Sequence, residues 1–324
     1  MDVTLDSRPR FSVIIATYNY AHFLPRVLAS IFAQTYTRYE VLVIDDGSTD
    51  NTSAVLKPYL NRIQYLHQEN QGQGAAHNRG IKRATGEYCF FLDADDELLP
   101  DALAHFESAL IENPGIPIVF GSYISVNSDG KQVLRESSTL PSGRKKAFKA
   151  FLQKKAIGLK HSGAIVSRQC FARIKYPVEI RNHVDIVIFG LLLARYPTMA
   201  IKPPIAKSHT HSERNRKNLK RVTETGISVV DAMFNPEHMP EELMSLKNLY
   251  KQQRLLSLSR TVFDAGDYQS SRQYFLRAFM INPFVLLYWK YSKRFFSSWF
   301  RRNRHSAEHS SKGISGGSRG AELS

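Results

Sequence analysis

A chain of 324 residues, 43% hydrophobic and 23% charged, has the composition of an ordinary globular protein and the length for one large domain with an appendage. Its 44 basic residues against 29 acidic ones give a formal charge of +15, which asks for an anionic partner: nucleic acid, lipid headgroups or a small anionic substrate. Two cysteines, Cys89 and Cys170, exclude a disulfide framework, and no window approaches the roughly 18 apolar residues that a membrane span needs.

The opening MDVTLDSRPR carries acids with no apolar stretch behind it, unlike a signal peptide, so residues 1–9 read as a disordered N-terminus and the protein as cytoplasmic. Residues 11–16 (FSVIIA) and 39–44 (YEVLVI) are short β-branched runs that end in polar residues, the pattern of strands buried on both faces of a parallel sheet. Between them Phe23, Val27, Leu28, Ile31 and Phe32 recur at helical spacing, which makes a β-α-β unit. A second helix is predicted over 48–59, a strand over 63–67, a helix over 74–84 and a strand over 88–92, where Cys89 reads as a small core residue. A helix over 101–112, a strand over 116–123 and a turn at 127–130 follow. The chain then turns basic and irregular from 145 to 165, gives an apolar helix over 185–194, and enters a loop of His, Ser and basic residues over 207–221. Beyond 236, residues 241–265 and 268–281 read as two amphipathic helices hinged at Gly266-Asp267, either one tetratricopeptide-type hairpin or a generic helical cap. The Ser/Gly-rich tail, 304–324, reads as disordered.

Three constellations carry chemistry. Asp93-Ala94-Asp95-Asp96 follows directly on a buried strand, and acids gathered at a strand end repel one another unless a cation sits there. A few hard oxygen ligands suit Mg2+ or Mn2+ shared with a diphosphate. The plain alternative is a solvated acidic turn. Asp45-Asp46-Gly47-Ser48 closes the second strand in the same manner: one carboxylate can accept the ring N–H of a pyrimidine, and one can cap the following helix. Ala16-Thr17-Tyr18-Asn19 ends the first strand, where Tyr18 is placed to stack on a base. In a parallel sheet all three converge on one edge. Gly72-Gln73-Gly74 is no dinucleotide fingerprint, because His77 stands at the third glycine position.

The segments FSVIIATYNYAHFLPRVLASIFAQTYTRYEVLVIDDGSTDNT and NQGQGAAHNRGIKRATGEYCFFLDADDELLP resemble the donor-binding half of family 2 glycosyltransferases, densely over 11–100 and more loosely to about 221. The resemblance implies an A-type glycosyltransferase fold, a Rossmann-like, mostly parallel sheet with flanking helices, to which the residues beyond 236 add a C-terminal helical extension. It implies a catalytic domain over 10–235, with nucleotide-sugar binding in 10–123 and the acceptor half in 124–235; the helical hairpin and basic segment over 236–303 lie beyond the resemblance and are read from the residues alone. It implies a nucleotide-sugar donor, usually a UDP-sugar, and inversion at the anomeric carbon. The nucleotide is then expected at Ala16, Thr17, Tyr18, Asn19, Asp45, Asp46, Arg79, Asp93 and Ala94, and the metal, Mg2+ or Mn2+, at Asp93 and Asp95.

The matching general base is Asp185, at the start of the apolar helix, where the helix N-terminus favours its ionised form. The sequence departs from the family's paired acids there, with Val184 in the first position. It departs again at His77, where the family carries arginine: either charge compensation passes to Arg79 or the later basic loop, or His77 packs in the core. His161 is read as lining the acceptor pocket, and His209, His211 and Arg214 as a loop meeting the diphosphate.

Residues 284–304 interleave aromatic residues with six basic ones and no acid. An anionic membrane surface fits this composition, RNA could use it, and a helix packed on its own domain is the plain alternative. The expected partners are a nucleotide-sugar donor, a glycan or lipid-linked acceptor and a membrane inner face reached peripherally, with no nucleic acid, in the synthesis of a bacterial-type surface or extracellular polysaccharide. A nucleotidyltransferase or a non-catalytic nucleotide-sugar-binding module would share much of the fold. The first asks for a glycine-rich loop after strand one, where this chain has ATYNYAHF.

Overall fold

The computed structural model describes residues 9–155, 158–210 and 223–301. Residues 1–8 and 304–324, read as disordered, lie outside them, as do His211 and Arg214.

The chain divides into two compact units, 1–217 with 231–245 and 218–230 with 246–324. In the first, strands β1 (Phe11–Thr17), β2 (Tyr39–Asp45), β3 (Gln64–His67) and β4 (Tyr88–Asp93) alternate with helices α1 (Leu24–Phe32), α2 (Thr52–Leu56) and α3 (Gln73–Arg83). The β-branched runs are buried on both faces because helices cover the sheet, and α1 turns Leu24, Val27, Leu28 and Ile31 inward at helical spacing. Helix α3 lies close on β1: a Cβ at Gly80 would stand 2.5 Å from Ile14 Cγ2, so a glycine is what lets the helix seat. Strands β3, β2, β1 and β4 are all parallel, with Thr17 beside Asp45 and Ala16 beside Asp93.

The same unit continues through β5 (Glu97–Leu98), α4 (Ala102–Glu112), β6 (Ile118–Val126), β7 (Gln132–Arg135), α5 (Arg144–Leu152), β8 (Ala164–Ser167), α6 (Val184–Leu193) and β9 (Thr198–His209). The sheet runs β3-β2-β1-β4-β8-β6-β9-β5, with β7 paired to β6. Beyond β4 the pairing is mixed: β8 is antiparallel to both β4 and β6, while β9 returns parallel to β6.

Three elements differ from the sequence expectation. The helix expected over 48–59 shrinks to Thr52–Leu56 and a 3-10 turn, because Asp50 takes the Thr52 N–H at 3.1 Å and Pro58 stops regular winding. Residues 144–152 form a helix that the basic composition hides, since only Phe148, Ala150 and Leu152 are buried. Residues 207–209, read as the start of a loop, belong to β9. Pro203 and Pro204 disguise that strand, and they fall where its register against β6 shifts, the place where missing N–H groups are tolerated.

In the second unit α7 (Lys247–Asp264) and α8 (Tyr268–Ile281) form a hairpin turned at Gly266 (φ +90°), with Asp267 capping α8 through the Ser270 N–H at 3.0 Å. The single helix expected over 241–265 is broken before Lys247, with a separate turn at Glu241–Met244. Leu255, Leu256, Phe275, Ala278 and Val285 make its core, and a last helix, α9 (Trp289–Ser297), follows a 3-10 turn at Pro283–Leu287. No helix among the described residues is long and apolar enough to cross a membrane.

Candidate active site

Because β2, β1 and β4 are parallel neighbours in register, the three motifs end side by side on one edge of the sheet. Asn19, in the left-handed region (φ +56°), joins the first two: its N–H donates to Ser48 Oγ at 2.9 Å and its side-chain oxygen accepts the Thr49 N–H at 2.7 Å. Tyr18 beside it is exposed, and the Thr17 hydroxyl is buried with no hydrogen-bond partner.

Asp45 and Asp46 are buried, and the fold itself uses both. Asp45 accepts the Ser48 N–H (2.9 Å) and the Tyr65 hydroxyl (2.8 Å), and meets His67 Nδ1 at 3.1 Å. Burial pushes this carboxyl up, but those bonds outweigh it and hold it below the usual range, while burial and the Asp45 bond drive the Tyr65 hydroxyl up to about 12. Asp46 accepts from the Gln68 amide (2.8 Å) and from the backbone N–H groups of Gln71 (2.9 Å) and Gly72 (2.8 Å). It thereby pins the loop before α3, where Gly72 has φ +93° and Arg181 reaches over to donate to Asn70 at 3.2 Å. Neither acid caps the following helix, α2: its N-cap is Asn51, and Asp50 makes a local turn before it by accepting the Thr52 N–H.

The acids at the end of β4 are arranged otherwise. Carboxylate oxygens of Asp93, Asp95 and Asp96 all lie within 4.8 Å of one another. Two oxygens bound to one Mg2+ or Mn2+ at about 2.1 Å each stand at most about 4.2 Å apart, so small side-chain rotations bring this donor set to coordination distance. The cluster is braced from outside. Arg26 donates to the Asp95 carbonyl (2.9 Å) and pairs with Glu97 (3.3 Å), and His209 gives its N–H to Asp96 (3.0 Å) and its ring to Glu97 (2.6 Å). Burial and the nearby Arg26 charge lower the His209 pKa despite Glu97, so the ring is neutral near pH 7.

On the other side, Asp93 faces His161 Nδ1 at 3.3 Å, and His161 Nε2 stands 2.8 Å from the Tyr176 hydroxyl. An ionised carboxylate only accepts, so the ring donates from Nδ1 to Asp93 and accepts the hydrogen bond of the Tyr176 hydroxyl on Nε2. Tyr176 is fixed at both backbone groups by the Asn78 carboxamide, each bond 2.9 Å, and its pKa is raised well above 10 by burial and then by Asp185 and Asp93. Asp185 sits in the first turn of α6, one turn before Phe189, whose ring lies 5.9 Å from His161. Residues four apart share a helix face, so Asp185 projects toward the same side. His77, only 1% exposed, packs edge-on to Phe91 and His161 with neither ring nitrogen hydrogen-bonded, and burial keeps it neutral. Core packing, the plainer of its two readings, is what it does.

The structure thus gathers Ala16, Thr17, Tyr18, Asn19, Asp45, Asp46, Asp93, Ala94, Asp95, His161, Asp185 and His209 around one sheet edge. Arg79 lies at the margin of this group: it donates to the carbonyl of His67, whose ring meets Asp45, at 2.7 Å, and it lines a hollow of about 410 Å³ with Lys82 and Arg83. Sequence reasoning missed Arg26, Tyr176, Asn78 and Arg181. Arg26 lies on a predicted helix, yet nothing local pairs it with an acid 71 residues away.

Solved structures share this architecture. Residues 1–349 of TarS from Staphylococcus aureus, in complex with UDP-GlcNAc, match 93% of this chain and 92% of that one with a TM-score of 0.60 at 18% identity. The mannosyltransferase PcManGT from Pyrobaculum calidifontis, with GDP-Man and Mn2+, matches 90% and 85% with a TM-score of 0.55 at 17% identity. The fold is the A-type glycosyltransferase fold with added C-terminal helices. Residues 12–175 match the model of glycosyl transferase family 2, and the chain belongs to that family. A Rickettsia felis protein described as an uncharacterized glycosyltransferase is 29% identical over 251 residues, 74% of this chain and 40% of its own length. One from Nostoc sp. is 46% identical over 98 residues, 29% of this chain and 30% of its own. The chain therefore spans well under half the length of these relatives.

Proposed function

We propose that the chain transfers a sugar, with inversion, from a nucleotide-sugar to an acceptor hydroxyl on a glycan or lipid-linked molecule of a bacterial-type surface or extracellular polysaccharide. The carrying observation is that Asp93 belongs to the carboxylate cluster and also, through His161 and Tyr176, to the side on which Asp185 projects. UDP-GlcNAc and GDP-Man in the two structural neighbours support a donor of this class, with a UDP-sugar our choice.

Thr17, Tyr18 and Asp46 hold the nucleoside. Each carboxylate oxygen has two lone pairs, so Asp46 can take a base N–H while keeping its loop bonds. Asp93, Asp95 and Asp96 would hold Mg2+ or Mn2+, which when bound supplies positive charge against that growing on the departing diphosphate. Arg181, at the loop that Asp46 pins, adds a cation to the same side. Asp185 takes the acceptor proton as the acceptor oxygen bonds to the anomeric carbon and the bond from that carbon to the diphosphate oxygen breaks. Tyr176 and His161 fix the distance between the two sets of acids.

Replacing Asp185 with Asn keeps the shape and removes the base. Transfer is expected to fall by about 10²–10⁴-fold, with donor affinity in the presence of Mn2+ unchanged. Normal transfer by Asp185→Asn would remove Asp185 from the reaction, and failure of the parent protein to bind any nucleotide-sugar would overturn the whole reading.

A further inference from the structure

The second unit ends in a surface that its own fold does not use. Phe275 and Phe295 stack inside it with centroids 4.5 Å apart, and Ser292 on α9 donates to the Leu286 carbonyl at 2.7 Å, so α9 is already seated on the hairpin. Outside this core stand Phe284, Leu287, Trp289, Phe296, Trp299 and Phe300, with Trp289 72%, Trp299 64% and Phe300 93% exposed. Exposed large apolar side chains this dense are not ordinary surface.

Their arrangement is that of a helix lying in an interface. Trp289 and Phe296 are seven residues apart on α9, two turns, and both stand exposed, 72% and 55%, flanking the buried Ser292, while Phe295 turns inward to stack on Phe275. Lys293 lies four residues after Trp289 and three before Phe296, and Lys290 is next around the helix; both are exposed. Long lysine stems can lie along the apolar flank while their ammonium groups reach outward to headgroups. Trp299 is held in place from below by the Arg272 guanidinium, 4.9 Å from its ring. From residue 268 to 307 the sequence has no acid; Arg294 pairs with Asp264 at 3.4 Å, and Arg277, Lys290, Lys293 and Arg301 add further positive charge within this stretch.

We infer that this surface docks on an anionic lipid bilayer, with the aromatic side chains at the headgroup boundary and the basic ones on the lipid phosphates. Charge selects the occupant. Two copies of the surface face to face would bring like charges together, whereas anionic headgroups neutralise them, and tryptophan prefers a boundary with one apolar and one wet side. The inference does not depend on the sugar-transfer reaction.

The chain holds its own probe, since its two tryptophans, Trp289 and Trp299, both lie in this surface. The full chain is titrated with vesicles of phosphatidylcholine and phosphatidylglycerol in equal parts, and with pure phosphatidylcholine. The mixed vesicles are expected to shift tryptophan emission to the blue, to quench it when the acyl chains are brominated, and to bind at least about tenfold more weakly in high salt. Pure phosphatidylcholine should give little response. The double variant Phe296→Ser/Phe300→Ser, altered only at exposed positions, should lose vesicle binding while keeping its helical circular dichroism and its nucleotide binding. Three outcomes overturn the inference: unchanged emission with the mixed vesicles at low salt, a blue shift that follows protein concentration without lipid, and an equal shift with single-stranded RNA. The second would assign the surface to self-association and the third to nucleic acid.

Discussion

Two adjacent strands end in nearly the same letters, Asp45-Asp46 on β2 and Asp93-Ala94-Asp95-Asp96 on β4, yet the structure treats them differently. The first pair is wired into the fold by a serine N–H, a tyrosine, a histidine and a loop of backbone N–H groups. The second set crowds its oxygens together within 4.8 Å. Acids that accept several hydrogen bonds stabilise the folded chain, whereas acids that face one another raise its energy until positive charge arrives. One residue type therefore pins loops to the fold at one strand and, at the next, gathers three carboxylates closely enough to offer a divalent cation a donor set.

The contrast can be broken by substitution. Asp95→Ala should cost the most in function and the least in stability. Turnover should drop by at least about 100-fold, and the urea-unfolding free energy should stay within about 0.5 kcal/mol of the parent or rise, because repulsion is relieved. Asp46→Ala should do the reverse first: with the Gln71 and Gly72 N–H groups stripped of a charged acceptor, stability should fall by about 2–3 kcal/mol, read by the same urea titration. Equal stability losses at the two positions would erase the distinction.

The smallest effect sharpens it through His77, a buried polar group that the fold leaves unsatisfied. Its pKa in the folded chain lies well below the ordinary value because burial penalises the charged ring. The unfolded chain thus takes up a proton that the folded one refuses. Stability present above about pH 6.5 is lost as pH falls toward the folded value. His77→Phe should gain about 1 kcal/mol near pH 7, and its melting temperature should fall less than the parent's between pH 7 and about pH 5. A parallel fall in both proteins would mean that His77 does not titrate with unfolding.

The sequence made the β-α-β order plain because strands buried on both faces must read as continuous β-branched runs, and strand ends in such a sheet fall on one edge. The carboxylates were legible for that reason. Asp185 was placed by resemblance, and helix α6 puts it in the expected first turn. What could not be read were the partners that only tertiary folding brings near. Tyr176 sits in a stretch without secondary structure, Arg26 meets Glu97 across the chain, and β9 is concealed by two prolines that its irregular register absorbs. Nor could the pattern show that both acids of Asp45-Asp46 are committed to the fold. Each has the look of a helix cap, yet the helix begins at Thr52 with Asn51 as its N-cap.

The Asn78 carboxamide reads the Tyr176 backbone as a neighbouring strand would, across a separation of 98 residues. Loop closure over such a span costs more entropy than the pairing of strands joined by a single helix. On the proposed function, the spacing between the carboxylate cluster and the acceptor side thus rests on a closure that no local segment of the chain can make for itself.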